Sequence, residues 1–331
     1  MSKKIQIIIP CHNEEENIAY IVGEVDKYVG SLPYKHEFLF VDDGSTDRTY
    51  DAIIGLSQGR EDINVIKLSR NFGKEAAITV GLNNYNSDAV IIIDSDLQHP
   101  PHLIPALISE WEKGANIVDA VKTMRQRENI LIRVMSLSFN KVLSCLTGMD
   151  FKGASDYKLL DKTAIDVLNG IQEKNRFFRG LTNWVGLKHS KIEFKVEDRK
   201  VGRTKWGWLK LFQLSIDATT SYSAKPLQIV TILGIFTLLF SIILGLQTLY
   251  NKFFGGAVSG FTTVILVVLI LCSIIMISMG ILGIYLSKVY NEVKNRPIYV
   301  IEDLRKEPKG RERRPISLNT GRISQDDSNV S

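Results

Sequence analysis

The stretch VIIIDSDLQHP, Val90 to Pro100, runs from a greasy segment straight into acid. Four β-branched residues precede Asp94, and a second aspartate, Asp96, follows two positions on. A short, continuous apolar run of this kind reads as a strand covered on both faces, with its end presenting two carboxylates. Three earlier runs share its character: KIQIIIP from Lys4, EFLFVDD from Glu37 and NVIKLS from Asn64. Candidate helices lie between them, from Glu14 to about Tyr28, from Thr46 to about Gln58 and from Lys74 to about Tyr85. Strand–helix alternation with short connections implies an α/β fold around a mostly parallel sheet with right-handed crossovers. In such sheets ligands bind beyond the carboxyl ends of the strands, where Asp42, Asp43, Asp94 and Asp96 all fall.

Past Leu103 the pattern loosens. Arg125 to Leu146 is a basic amphipathic helical stretch, and KIEFKVEDR from Lys191 reads as a further strand. Then the character of the 331-residue chain changes. No charged residue occurs from Pro226 to Asn251 or from Phe253 to Ser287. A bilayer core takes about 20 apolar residues per helix, so both runs are long enough to span. The alternative, a pair of buried core helices, conflicts with the polar face that soluble helices of this length normally show. Neither run is a signal peptide, since both lie far from the N-terminus. Lys205, Lys210 and Lys225 precede the first run and Lys288, Lys294, Arg296, Arg305 and Lys306 follow the second. The connecting loop holds only Lys252, so both ends are expected to face the cytoplasm. KWGWLKLFQLSIDATTSY, from Lys205, has the profile of a helix lying in the membrane interface. The expected units are a domain over 1–204, an interface helix over 205–225, spans over 226–250 and 261–287, and a basic, largely disordered tail over 288–331.

The formal net charge is +5, much of it close to the spans, which favours an anionic lipid surface over nucleic acid. Three cysteines, Cys11, Cys145 and Cys272, have no paired spacing, so neither a disulfide framework nor a zinc site is implied.

Two carboxylates two residues apart repel each other unless a cation lies between them or one takes a proton. A hard divalent cation, Mg²⁺ or Mn²⁺, typically binds one or two carboxylates plus substrate phosphates. Asp94 and Asp96 are therefore a candidate metal–diphosphate clamp, with Gln98 and His99 adding polar groups just beyond. The same HPP segment also reads simply as a turn shaped by Pro100 and Pro101. In VDDGSTD, Ser45 or Thr46 can cap the following helix and Asp47 suits its first turn. Capping does not account for Asp42 and Asp43 together, and one of them could bond a base or ribose.

IPCHNEEENI, VDDGSTDRT, SRNFGKEAAITVGL, DSDLQHPP, GASDYKLLD and RFFRGL occur in this order. Together they resemble the polyprenyl-phosphate branch of glycosyltransferase family 2, which includes dolichyl-phosphate mannose synthases and bactoprenol glucosyltransferases. The resemblance covers about Ile5 to Tyr285 and implies a GT-A fold, a nucleotide-sugar donor, a divalent metal and a homo-oligomer. It places Pro10, Asn13, Glu14 and Asp43 around the nucleotide, and Ser69, Arg70, Gly73 and Lys74 near the donor. Asp94 and Asp96 become the family's DXD, with Asp96 and Gln98 nearest the metal, and Asp156 matches a carboxylate near the reacting centre. Lys74 and Arg70 are equally readable as a helix-start residue and an exposed charge.

A lipid monophosphate meeting a diphosphate needs fixed cations, and Arg bonds phosphate in a bidentate manner. Arg125, Arg127 and Arg133, then Arg176 and Arg179, then Arg199, Arg203 and Lys205 are the candidates. The expected reaction passes a sugar from UDP to the phosphate of a membrane polyprenol, with inversion. A phosphate monoester has its second pKa at about 6 and is already a nucleophile at neutral pH, so a strong general base is not required. A processive polysaccharide synthase would carry Q-x-x-R-W and a larger membrane channel, whereas here NRFFRG stands near that place and only two spans follow. A non-catalytic membrane scaffold is opposed by the intact acidic pair.

Overall fold

Strands apolar at nearly every position need cover on both faces, and the chain supplies it with helices on each side of one sheet. The computed structural model describes residues 3–96, 98–123, 155–174, 176–195, 225–254 and 260–305. β1 (Lys4–Cys11), β2 (Lys35–Asp42), β3 (Ile63–Leu68) and β4 (Ala89–Ile92) are the four strands expected from the apolar runs. They alternate with α1 (Ile18–Val29), α2 (Thr49–Ser57) and α3 (Lys74–Asn83). Then come α4 (Ile104–Glu112), β5 (Ile117–Thr123), β6 (Lys158–Asp161), α5 (Lys162–Gly170), α6 (Phe178–Trp184) and β7 (His189–Lys195).

With β8 (Ile301–Arg305) at one edge, the eight-stranded sheet runs β7-β5-β6-β4-β1-β2-β3-β8. β1 pairs in parallel with β2 and β4, β2 with β3, and β5 with β7. β6 runs antiparallel to both β4 and β5. Side chains alternate across each strand, which divides the core in two. Ile5, Ile7 and Ile9 face Ile18 and Ile21 of α1, Ile53 of α2 and Leu107 of α4. Ile8, Leu39 and Val41 face Ala77 and Val80 of α3, Leu168 of α5 and Leu181 of α6. Each such aliphatic side chain stabilises the fold by about 1.5–3 kcal/mol on burial. The parallel centre brings the ends of β1, β2 and β4 to one edge, which is where the acidic loops lie.

Beyond the sheet, α7 (Lys225–Phe254) and α8 (Phe261–Val293) pack on each other, and α8 meets the catalytic domain where Lys174 bonds Glu292. Phe236 and Met276 are each 72% exposed, and no part of the apolar windows Val230–Gln247 and Val267–Val293 is buried. Helices apolar all round are stable only in an apolar surround, so both are candidate membrane spans. Each runs past the expected limits of 250 and 287. At about 1.5 Å per residue, α8 is about 50 Å long and overshoots a core of about 30 Å.

The stretch 288–331, expected to be a largely disordered tail, instead continues α8 to Val293 and holds a strand at the end of the apolar run IYVI, Ile298 to Ile301. β8 (Ile301–Arg305) pairs antiparallel with β3, Ile66 opposite Leu304 and Lys67 opposite Asp303. Lys67 Nζ meets Glu302 at 3.2 Å, the Tyr50 hydroxyl donates to Asp303, and the Ser69 amide donates to the Val300 carbonyl at 3.0 Å. The chain thus returns to the sheet edge after α8. The basic stretch Arg125–Leu146, the interface segment before Lys225 and the tail from Lys306 lie outside the described residues.

Candidate active site

The edge of the sheet is assembled by loops that bind one another before any ligand. Asn13, at the end of β1, has a left-handed backbone (φ 55°). Its Oδ1 accepts from the amides of Thr46 (2.8 Å) and Asp47 (3.4 Å), and its own amide donates to Ser45 Oγ (3.0 Å). The Glu14 amide donates to Thr49 Oγ1 (2.8 Å) and its carboxylate accepts from Asn17 (2.5 Å). Ser45 and Thr46 do not cap α2, contrary to expectation. The helix starts at Thr49, whose amide donates to Asp47 Oδ1 at 2.9 Å, while the Ser45 hydroxyl turns back to Asp42.

Asp43 draws a second loop in. Its Oδ1 accepts from the Phe72 amide (2.7 Å) and its Oδ2 from the Gly73 amide (2.8 Å). Burial raises the Asp43 pKa, and these two amides offset only part of the rise. Gly44 (φ +61°) leaves no room for a side chain, since a Cβ would stand 2.3 Å from the Arg70 carbonyl carbon. Gly73 (φ +98°) makes the left-handed step into α3, which delivers Lys74. Pro10 lies in β1 opposite Val41, and the Arg70 guanidinium stands over the Phe72 ring at 4.4 Å.

At the centre, Lys74 Nζ lies 2.6 Å from Asp94 Oδ1 and 2.6 Å from Asp156 Oδ2. Arg179, on α6, clamps Asp156 from the other side, Nε to Oδ1 at 2.7 Å and Nη2 to Oδ2 at 2.9 Å. Burial acts to raise the Asp156 pKa, but Arg179 and Lys74 outweigh it and hold the carboxyl well below the usual carboxylate range. Burial acts to lower the Lys74 pKa, and Asp94 and Asp156 overcome it and raise it. The cluster is open on one side, with the Lys74 side chain 40% exposed.

Two residues join the site that sequence reading passes over or leaves ambiguous. Glu75 Oε2 accepts from the Phe178 amide at 2.9 Å and so anchors the start of α6. Burial and the Asp156 charge push its carboxyl up to about 7. Its acidic place in the first turn of α3 is the only signal the sequence offers. His99 is buried, stacked on Tyr157 with centroids 5.3 Å apart, and its Nδ1 stands 3.4 Å from Asp94 Oδ2.

Asp96 Oδ1 accepts from the Gln98 amide at 3.1 Å. Among the described residues no three His, Cys, Asp or Glu side chains converge as a cage. That donor set still fits Mg²⁺ or Mn²⁺, which take one or two carboxylates and complete their shell with substrate phosphate and water. Asp96 and Gln98 would hold the ion, with Asp94 contributing less because Lys74 already neutralises it. Of the acceptor candidates, the structure brings Arg179 to the centre. Arg176 instead gives its guanidinium hydrogens to the carbonyls of Glu173 and Ile171 in its own loop. Arg133, Arg199 and Lys205 lie outside the described residues.

Residues 6–165 match the family model described as glycosyl transferase family 2. The chain is 33% identical over 301 residues to the SfII prophage-derived bactoprenol glucosyl transferase of Shigella flexneri, covering 90% of this chain and 97% of that one. It is 35% identical over 312 residues to the glycosyltransferase sll0501 of a Synechocystis strain, covering 92% and 96%. Glucosyl-3-phosphoglycerate synthase from Mycobacterium tuberculosis, solved with Mn²⁺, UDP-glucose and phosphoglyceric acid, aligns with a TM-score of 0.46 at 18% identity, over 66% of this chain and 78% of that one.

Proposed function

The chain belongs to glycosyltransferase family 2, and from that premise we propose that it moves a sugar, glucose before other hexoses, from a UDP-sugar to the phosphate of a membrane polyprenol. The relatives named as bactoprenol glucosyl transferases support the sugar and the lipid. The observation that carries the phosphate acceptor is the double clamp on Asp156. A carboxylate held by an ammonium and a guanidinium is a very weak base, so it does not take a proton from a lipid alcohol. An acceptor that brings its own charge needs no such base, and a phosphate monoester, with its second pKa at about 6, is that acceptor.

Each side chain then has a place. Asn13 and Asp43 fix the two loops around the nucleotide, and the Gly73 turn presents Lys74. Lys74 and Arg179 offer positive charge where diphosphate and incoming phosphate meet, and Asp156 sets the distance between them. Glu75 keeps α6, and with it Arg179, in position. A divalent ion at Asp96, when bound, supplies charge against the leaving diphosphate. The sugar passes in one displacement with inversion.

The fold also bears on topology. β8 follows α8 and pairs with β3, so the chain enters α7 and leaves α8 on the side of the catalytic domain. If both helices cross the membrane, the loop 255–260 lies on the other face, and the lysines and arginines flanking the pair put the site in the cytoplasm. The test is a panel of UDP- and GDP-sugars incubated with undecaprenyl phosphate or undecaprenol in membranes, with and without EDTA, beside Asp96→Asn. Transfer from one UDP-hexose to the phosphate alone, lost with EDTA and in the variant, is expected. Equal transfer to the alcohol overturns the reading.

A further inference from the structure

α8 is longer than a bilayer core requires, and its last turn ends against the catalytic domain. Asn295 (φ 49°) takes the left-handed step that closes the helix, with its amide donating to the Glu292 carbonyl at 3.3 Å. Pro297, two residues on, cannot continue a helix. The chain then returns to the sheet. Tyr299 packs against the core face that includes Ile8 and Leu39, and its hydroxyl accepts from Asn83 Nδ2 at the end of α3 at 3.0 Å. β8 begins two residues later, so the end of α8 is held from the side of the segment that follows it.

It is held from a second side by the loop between α5 and α6. The Lys174 amide donates to Glu292 Oε1 at 3.0 Å, and Lys174 Nζ donates to the Glu292 carbonyl at 2.8 Å. The ammonium meets the negative end of the helix dipole, and the carboxylate satisfies an amide that belongs to no helix or strand. Past that point the loop is braced. The Arg176 guanidinium donates to the carbonyls of Glu173 and Ile171, and the Phe178 amide donates to Glu75 Oε2 at 2.9 Å. Arg179, the next residue, clamps Asp156. Five residues therefore carry a chain of bonds from the end of α8 to the reacting centre.

Magnitudes decide what the Glu292 contact is for. Glu292 is exposed, and contacts between exposed charged groups add little to the stability of a fold. Their effect on geometry is larger, because a displacement of about 1 Å at a reacting group can cost about 10²-fold in rate. We infer that Glu292 is a positioning residue for the transfer reaction: it holds the loop that seats Arg179, and so ties the clamp on Asp156 to the place where α8 ends. The inference rests on the proposed role of Arg179 at the reacting centre and adds to it an anchor on the apolar helix pair.

The test compares the full-length protein in phosphatidylcholine vesicles with Glu292→Ala and Glu292→Gln, by two measurements. Hydrogen–deuterium exchange over 176–184 should quicken at least fivefold in Glu292→Ala and return to the wild-type rate in Glu292→Gln, whose side-chain oxygen still accepts from Lys174. Exchange in β1 and β2 should stay unchanged in both, which is the folding control. In transfer from UDP-glucose to undecaprenyl phosphate, Glu292→Ala should lower kcat about tenfold with the donor KM within twofold, and Glu292→Gln should keep the wild-type kcat. Added to Arg179→Lys, Glu292→Ala should lower kcat no further, since both act through one group. Unchanged exchange over 176–184, faster exchange throughout the sheet, or an unchanged kcat in Glu292→Ala overturns the inference. So does a further tenfold loss on the Arg179→Lys background, or a Glu292→Gln variant as slow as the alanine, which would make the charge and not the acceptor oxygen the cause. The expected exchange pattern in a protein that transfers nothing to undecaprenyl phosphate sinks the functional reading instead and leaves the anchor of Arg179 standing.

Discussion

Two ion clusters flank the same short strand, β6, and they differ in one respect. Asp156, just before the strand, shares Lys74 with Asp94 and is clamped by Arg179 on its other side, and the Lys74 and Arg179 side chains are 40% and 35% exposed. Lys158, the first residue of the strand, pairs with Asp119, and these side chains are 2% and 8% exposed. His189 completes the second cluster, with Nδ1 3.0 Å from Asp119 Oδ2 and Nε2 3.1 Å from the Thr182 carbonyl. The ingredients are alike, a lysine, an aspartate and a further nitrogen group, but in the second the lysine and the aspartate are both sealed from water. Charges taken fully from water cost several kcal/mol per ion, and mutual attraction often does no more than offset that cost. The closed cluster ties β5, β6, β7 and α6 into one arrangement. The open one keeps charge available to a ligand.

If that contrast is right, damage to the closed cluster appears as lost stability and damage to the open one as lost activity. The largest effect is expected from Lys158→Met, which leaves Asp119 buried with half its compensation. The loss should be about 3–5 kcal/mol, read by chemical denaturation. Adding Asp119→Leu should restore most of it, because the uncompensated charge is gone. A double variant as unstable as the single would show that the contacts themselves, and not charge burial, hold this region.

Asp156→Asn should leave stability within about 1–2 kcal/mol, because water reaches the freed cations, yet lower kcat/KM by about 10²–10³-fold. The pH profile separates positioning from proton transfer. With its pKa held below the usual range, Asp156 contributes no acid limb between pH 5 and 8, and a limb at about 6 is the one expected of the proposed phosphate acceptor. A wild-type limb that disappears in the variant would make Asp156 the base after all.

Glu75→Gln should show a smaller effect with a defined sign. The folded-state pKa of about 7 exceeds the ordinary value of 4.5, so the folded protein holds this proton more tightly than the unfolded chain. Its favourable contribution is complete below about 4.5 and is lost as pH rises through about 7. Glutamine imitates the protonated acid, so the variant should be the more stable at pH 8, by on the order of 2 kcal/mol, with the gap closing toward pH 4.5. Denaturation midpoints across that range are the measurement, and a constant gap would contradict the burial account.

What could be read from the chain follows the range of the forces. β1 to β4 and the acidic strand ends are written in local alternation, and the spans in composition, so each was visible. The neutralisation of Asp94 was not, because Lys74 and Asp94 are twenty positions apart and only the β3–α3–β4 crossover brings them together. The Asp156–Arg179 clamp depends on how α6 seats on Glu75, which no periodicity records. Lys158 stands in an otherwise apolar strand, and that anomaly was the available sign of a buried pair.

The smallest predicted effect belongs to a third pair, at the far edge of the sheet. The Tyr50 hydroxyl donates to Asp303 of β8, between partly exposed groups. Such a bond contributes about 1 kcal/mol, so Tyr50→Phe should lower the denaturation midpoint slightly. The value of the variant lies in where β8 comes from. It follows α8 directly and runs beside β3, and the Val300 carbonyl receives the Ser69 amide at the start of the loop that carries Arg70 and Lys74. If the strand only covers an edge, donor affinity is unmoved when this bond is lost. If it holds the loop, KM for the nucleotide-sugar donor rises while kcat is kept. The first result would confine functional charge to the open cluster, and the second would extend its support to the chain that follows α8.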